Sequence, residues 1–216
     1  MRALPDNNPW VGRMAELVED WRFVLLSRGW KFGLTWFAKQ LILLPYRSMP
    51  YVIMSRSLAE PLPDHTPKIA LAIRPFVSGD LTLVRSENLP SEARLFARRL
   101  EMGHTGLVAC HGAQVAGYSW ACTDTTLERL ELRLEAGDVL FTDSFTIPAF
   151  RGQGVQTALS VVRMRQFRER GYTRAVMYIE EQNQPSLAVW RRLGAQVTAR
   201  VRFRRLGFWR STLYGS

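Results

Sequence analysis

Ile147-Pro148-Ala149-Phe150-Arg151-Gly152-Gln153-Gly154-Val155 decides how this chain is read. A strand-like run ends at Pro148, and a turn punctuated by two glycines leads into an amphipathic helix on which Val155, Ala158, Leu159 and Val162 recur at helical spacing. Arg163, Arg165, Arg168 and Arg170 crowd the last turns of that helix before Gly171, a C-terminal stop. The first turn of any helix leaves backbone N–H groups without intrahelical partners at the positive end of the helix dipole, so an anion fits there. Gly152 and Gly154 let the backbone approach a pyrophosphate closely, and Arg151 adds a charge-assisted contact. The competing reading is a tight strand-to-helix connection in which glycine only relieves strain.

Downstream, Tyr172–Glu180 reads as a buried strand. Asn183-Gln184-Pro185-Ser186-Leu187-Ala188-Val189-Trp190-Arg191-Arg192-Leu193-Gly194-Ala195 follows as a short helix with proline at its start and glycine at its end. Together the two segments resemble the GNAT acyltransferase superfamily. The first is similar to its coenzyme A pyrophosphate loop of a proline, an aromatic and Arg-Gly-x-Gly. The second is similar to its Asn-x-x-Ser, aromatic, Leu-Gly pattern. Upstream, Ile69–Phe76 resembles the opening strand of such domains, so the resemblance covers roughly residues 68–216.

The resemblance implies an α/β fold with a mixed, mostly antiparallel central sheet flanked by helices, here preceded by an N-terminal helical extension. It implies acetyl-CoA or another acyl-CoA as cosubstrate, with the pantetheine arm between splayed parallel strands 138–147 and 173–180. Phe145, Thr146, Ile147, Arg151, Gly152, Gln153, Gly154, Val155 and Gln156 would form the cofactor site, and backbone near Phe145, Thr146 and Ile147 would polarise the thioester carbonyl. Asp143 stands where several relatives place an acidic base, which burial would help; its bland reading is a strand-end aspartate paired with an arginine. Tyr178 is a candidate proton donor. Asn183 and Ser186 would position the cofactor or acceptor, or simply cap a helix. Two positions depart from the family pattern: Gln156 where a small residue is usual, and Trp190 where many relatives carry the tyrosine that protonates the thiolate. An indole donates a hydrogen bond but does not titrate as an acid.

Composition fits one folded domain with an extension: 216 residues, 47% apolar and 22% charged. Cys110 and Cys122 show neither metal-ligand nor redox spacing, which suits a reducing, cytoplasmic setting, and His65, His104 and His111 are scattered, so no metal site is expected. The net charge of +10 is uneven, because residues 151–216 carry 13 Lys and Arg against 3 Asp and Glu. Arg200, Arg202 and Arg204 alternate along an expected strand and share one face, with Arg205 and Arg210 nearby. This is either a patch for an acidic partner, such as an acyl carrier protein or an anionic membrane, or a solvated sheet edge. The interleaved segment Arg202–Arg210 admits nucleic-acid binding, but an inward Val201 and Phe203 explain the same pattern.

Residues 1–60 look different. Trp10, Val11, Met14, Leu17, Val18 and Trp21 form one helical stripe, and residues 33–44 make a second apolar segment. It is too short to span a bilayer and is interrupted by Lys39. Trp10, Trp21, Trp30 and Trp36 beside Arg22, Arg28, Lys31 and Lys39 suit either a headgroup boundary or packing onto the rest of the protein. No secretory signal is expected, since acidic residues precede the apolar stretch. Residues 51–54 read as a strand, and Glu60–Asp64 as a linker separating the extension (1–60) from the acyltransferase domain (66–216). Helices are expected near 78–84 and 90–102, a hairpin over 105–110 and 113–122, and a loop or helix over 123–136. The function expected is coenzyme A-dependent N-acyl transfer to an amine, on a small molecule or an envelope-linked amino sugar or lipid precursor, in the cytoplasm or at the inner membrane face. A noncatalytic membrane-associated protein of the same fold is the alternative.

Overall fold

Strands that are apolar on both faces must be covered on both sides. Thr105–His111 and Gln114–Cys122 are such strands, and the computed structural model sandwiches them between helices. The structure describes the backbone of residues 9–43, 46–87, 90–125, 130, 132–206 and 209–215, and the side chains of 17–38, 48–84, 90–125, 130 and 132–204. The strands are β1 (Tyr46–Ser57), β2 (Ala72–Pro75), β3 (Thr105–His111), β4 (Gln114–Cys122), β5 (Asp138–Thr146), β6 (Arg174–Glu180), β7 (Gln196–Leu206) and β8 (Trp209–Gly215). The helices are α1 (Pro9–Arg28), α2 (Trp30–Leu43), α3 (Leu81–Glu87), α4 (Pro90–Glu101), α5 (Val155–Glu169) and α6 (Gln184–Arg192).

One eight-stranded sheet runs β2-β3-β4-β5-β6-β1-β7-β8. Neighbours are antiparallel except β5 and β6. On one face, α5 and α6 cover Leu107, Ala109, Val139, Phe141, Ala175 and Met177. On the other, α3 and α4 bring Val84, Ala93 and Phe96 against Val108, Tyr118 and Trp120, and that core continues through Leu140, Val176, Tyr51 and Val201 under Leu130 and Leu132.

The expected boundary at Glu60–Asp64 does not divide the chain. β1 lies inside the sheet, pairing with β6 through Tyr51–Ser57 and with β7 through Tyr46–Ser55. Its Val52 and Met54 belong to the core under α5 and α6, and Tyr51 and Ile53 to the core opposite. Period-2 burial on both faces makes a central strand, so only the segment before it can be an extension. The alternation on β7 is as expected, with Val201 and Phe203 buried and Arg200, Arg202 and Arg204 exposed. β7 is no sheet edge, however, because β8 pairs along it. The side chains of Arg205 and Arg210 lie outside the described residues, as do those of Trp10, Val11, Met14 and Lys39 and parts of the 33–44 and 123–136 segments.

α1 and α2 form an antiparallel hairpin joined at Gly29. The helices cross tightly at Gly33, where an added Cβ would meet Leu25 Cα at 3.1 Å. Trp21 packs on Phe37 with ring centroids 5.4 Å apart, and Val24 is buried. The hairpin is docked through Asp20, which accepts hydrogen bonds from Ser91 N–H (3.2 Å) and Ser91 Oγ–H (2.8 Å) at the start of α4. Glu19 pairs with Arg94 one turn on. Val18, expected on the apolar stripe, is exposed.

Candidate functional site

Gly154 caps α5 at φ +85, a left-handed conformation that costs a side-chain-bearing residue but not glycine. The first intrahelical bond from the loop runs from Ala158 N–H to Gly154 O (3.0 Å), so the N–H groups of Val155, Gln156 and Thr157 precede the helical ladder. They sit in the wall of a cleft of about 860 Å³. Lys68, Arg151 and Arg192 line it together with His65, and among the described residues no carboxylate does. Three cations and a helix N-terminus, with no acid among the described lining residues, suit a polyanion. Phe145, Phe150, Val155, Ala188, Val189 and Trp190 give the cleft an apolar floor as well.

At its inner end the cleft reaches β5 through Ser144, Phe145 and Thr146. β5 and β6 pair in parallel only at Asp138–Arg174, Val139–Ala175 and Leu140–Val176, and beyond these they splay. β5 also carries a bulge. Tyr118 opposes Phe145 and Trp120 opposes Thr142, so Asp143 and Ser144 together face Ser119. Asp143, at φ +37, is the one non-glycine residue with positive φ among the described residues. The bulge sends its two side chains to opposite faces. Asp143 reaches Arg99 of α4, with Oδ2 2.6 Å from Nη2, while Ser144 Oγ lies 3.4 Å from Nη2 of Arg163 on α5.

Arg163 is fully buried. It donates to Trp120 O (2.6 Å) and, at 3.4 Å, to Ser160 Oγ, with its guanidinium 4.4 Å from the Phe141 ring centroid. Burial pulls it down to about 9, so it remains cationic at neutral pH beneath two hydroxyls that line the cleft. The sequence placed it only as one of several arginines late in the helix.

Of the residues expected to hold a cofactor, Phe145, Thr146, Arg151, Gly152, Gln153, Gly154, Val155, Gln156, Asn183 and Ser186 all line this one cleft. Ile147 does not, and its N–H is donated to Ala116 O (3.0 Å), so that amide is committed to the sheet and not to a thioester carbonyl. Gln156 does more than alter the loop surface: its Nε2 donates to Phe145 O (2.6 Å) and bolts the first turn of α5 to β5. Asn183 caps α6, accepting from Ser186 N–H (3.2 Å), while facing the cleft. Trp190 is 5% exposed and packs against Phe141, with centroids 5.9 Å apart. Tyr178 stands on the sheet face opposite α5 and α6, edge-on to Tyr51 at 5.6 Å, and does not line the cleft. Asp143 has 43% of its side chain exposed, so the burial that would have aided a base is absent and the arginine pairing is what the structure shows.

His65, Thr66, Lys68, Ser144, Ser160 and Arg192 were not singled out as site residues. The end of the expected linker and the residues just after it lie along the loop: Asp64 pairs with Arg165, His65 Nε2 is 3.1 Å from Gly154 O, and Lys68 N–H donates to Gln153 O (2.9 Å). A carbonyl only accepts, so Nε2 carries the proton there. No local pattern marks this contact across so long a sequence interval. A smaller recess of about 450 Å³ at the opposite end of β5 is lined by Arg56, Glu60, Glu135, Asp138 and Arg174, whose charges pair with one another. Among the described residues no group of His, Cys, Asp and Glu could hold a metal ion.

The acetyltransferase (GNAT) family profile matches residues 74–195. A mycothiol acetyltransferase from Catenulispora acidiphila is 27% identical over 164 residues, 66% of this chain and 49% of that protein, so the chain spans about half the length of that curated relative. Among solved structures, a Drosophila protein superposes with a TM-score of 0.58 at 13% identity, covering 94% of this chain and 68% of that one. A putative GNAT-family acetyltransferase from Novosphingobium aromaticivorans gives 0.54 at 12% identity, covering 80% and 69%. At these identities the structural likeness concerns the fold.

Proposed function

The chain belongs to the acetyltransferase (GNAT) family, and on that premise we propose that it is a coenzyme A-dependent N-acyltransferase that moves an acetyl or longer acyl group to an amine. The observation that carries this is the cationic cleft, lined by no carboxylate among the described residues, that starts at the Gly152–Gly154 loop and ends where β5 leaves β6. The residues fit the cosubstrate. Loop and α5 N–H groups with Lys68, Arg151 and Arg192 suit its phosphates, and the apolar floor suits its pantetheine arm. When bound, acetyl-CoA supplies an acyl group activated as a thioester.

The bulge divides the remaining work between the two faces. Ser144 faces the donor cleft over cationic Arg163, a preorganised positive centre that favours negative charge developing at the inner end. Asp143 faces the α4 side, from which an amine would approach, and in this proposal accepts the amine's proton while Arg99 holds its carboxylate in place. Tyr178 and Tyr51 would line that approach. The similarity to a mycothiol acetyltransferase supports acetyl transfer as the reaction class. An envelope-linked amino sugar or lipid precursor is the acceptor class we favour, with an acyl carrier protein as the alternative donor, meeting Arg200, Arg202 and Arg204.

Calorimetric titration with acetyl-CoA and long-chain acyl-CoA, followed by thiol-release assays with panels of amines, tests this. Saturable binding of one donor that Arg151→Glu weakens, with amine-dependent thiol release, is the expected result. Absence of binding by both donors would remove the coenzyme A assignment.

A further inference from the structure

We propose that the tip of the α1–α2 hairpin is a docking surface for an anionic lipid bilayer. The inference is independent of the acyl-transfer chemistry. Of the eight large hydrophobic residues exposed among the described side chains, five lie on this hairpin: Val18, Leu26, Trp30, Phe32 and Leu34. Leu26 is 86% exposed and Trp30 63%. The others, Val77, Met102 and Val197, are scattered singly, as on any soluble surface. Four of the five sit at one end of the hairpin, because Leu26 closes α1 and Trp30, Phe32 and Leu34 open α2 around the Gly29 turn.

The two ends of the hairpin have different tasks. Asp20 and Glu19 fasten the nearer part to α4, and Val24 is buried there. The tip projects its largest apolar groups into solvent, which nothing in the packing of the domain requires.

Charge selects the occupant. From Trp21 to Ala59 the chain has no Asp or Glu, while Arg22, Arg28 and Lys31 are exposed around the apolar cluster. The Arg28 guanidinium lies 5.5 Å from the Phe32 ring centroid and the Lys31 ammonium 5.6 Å from the Trp30 ring. Cations riding on aromatic rings, with a tryptophan at the apex, match the boundary where acyl chains meet anionic headgroups. A second copy of the chain would bring the same cations against themselves across a symmetric contact, which disfavours self-association here. Among the described residues no helix is long and apolar enough to cross a membrane, so the contact proposed is peripheral.

The test is co-sedimentation of the full chain with vesicles of mixed phosphatidylglycerol and phosphatidylcholine and with vesicles of phosphatidylcholine alone, at low and high salt. The protein is expected to bind the mixed vesicles, to bind phosphatidylcholine far more weakly, and to be released by salt. Replacing Arg22, Arg28 and Lys31 together by Gln is expected to weaken partitioning by roughly a hundredfold, about fivefold for each charge. Leu26→Glu with Trp30→Glu should abolish it. All these positions are exposed, so unchanged thermal unfolding and acyl-CoA binding will show the variants folded. Equal binding to both lipids, no binding, or insensitivity to these variants overturns the proposal. So does a concentration-dependent dimer that the glutamate variants dissolve while vesicle binding is absent.

Discussion

Gly154→Ala probes how the Gly152–Gly154 loop is held, because two separate penalties meet at one atom. A Cβ at position 154 would lie 2.6 Å from His65 Nε2, and the backbone there has φ +85. The left-handed conformation costs an alanine about 1–2 kcal/mol. Pushing His65 aside also breaks its 3.1 Å hydrogen bond to Gly154 O, worth about 1 kcal/mol. The single substitution should therefore cost about 2–3 kcal/mol, a fall in melting temperature of roughly 4–12 °C for a chain of this size. In a His65→Ala background the clash with the ring and the hydrogen bond are already gone, leaving the conformational share and a 3.3 Å contact with Pro67 Cα, so the same change should cost about 1–2 kcal/mol. The double-mutant cycle then gives a coupling of about 1 kcal/mol. Urea unfolding of the four proteins measures it, and acetyl-CoA titration shows whether affinity lost in Gly154→Ala partly returns in the double variant. Equal costs in both backgrounds would refute the idea that His65 braces the loop.

Four further outcomes follow from the structure. Asp143→Asn should lower turnover by about a hundredfold or more if Asp143 accepts the amine's proton; unchanged turnover would leave it a structural partner of Arg99. Removing residues 1–60 takes away β1, the shared neighbour of β6 and β7, and with it Met54 and Leu58, both fully buried. The remaining chain should show no cooperative unfolding, and a native-like transition would contradict the placement of β1. Burial raises the Asp138 carboxyl, but hydrogen bonds from Arg174 and from Glu135 N–H, with the Arg174 charge, outweigh it and hold the group below its ordinary value. Its stabilisation is present above the unfolded value of about 4 and is lost as pH falls through the lower folded value. Asp138→Asn should cost about 1 kcal/mol at neutral pH, Arg174 being partly solvated, and should flatten the stability loss between pH 4 and more acidic conditions, as acid titration by circular dichroism would show. Gln156→Ala should loosen the α5–β5 bolt and weaken acyl-CoA binding without unfolding the domain; unchanged affinity would make Gln156 a bystander.

The Gly152–Gly154 turn, the caps of α5 and α6 and the outward arginines of β7 were legible in the residues themselves, because each rests on contacts within a few positions. Positive φ at Gly154, the Asn183 side chain on Ser186 N–H and the alternation around Val201 and Phe203 are local consequences of residue type. What lay beyond the sequence depends on segments far apart in the chain. β1 was recognisable as a strand, but its seat between β6 and β7 is set by pairing across more than a hundred residues, and nothing local states a partner. Nothing local marks His65 and Lys68, because the loop they brace begins some eighty positions later. The β5 bulge is written in its register against β4, and only that register divides Asp143 from Ser144 and gives each a different arginine. Residue type determined what each segment could be; the free energy of burying both faces of one sheet decided which segments met.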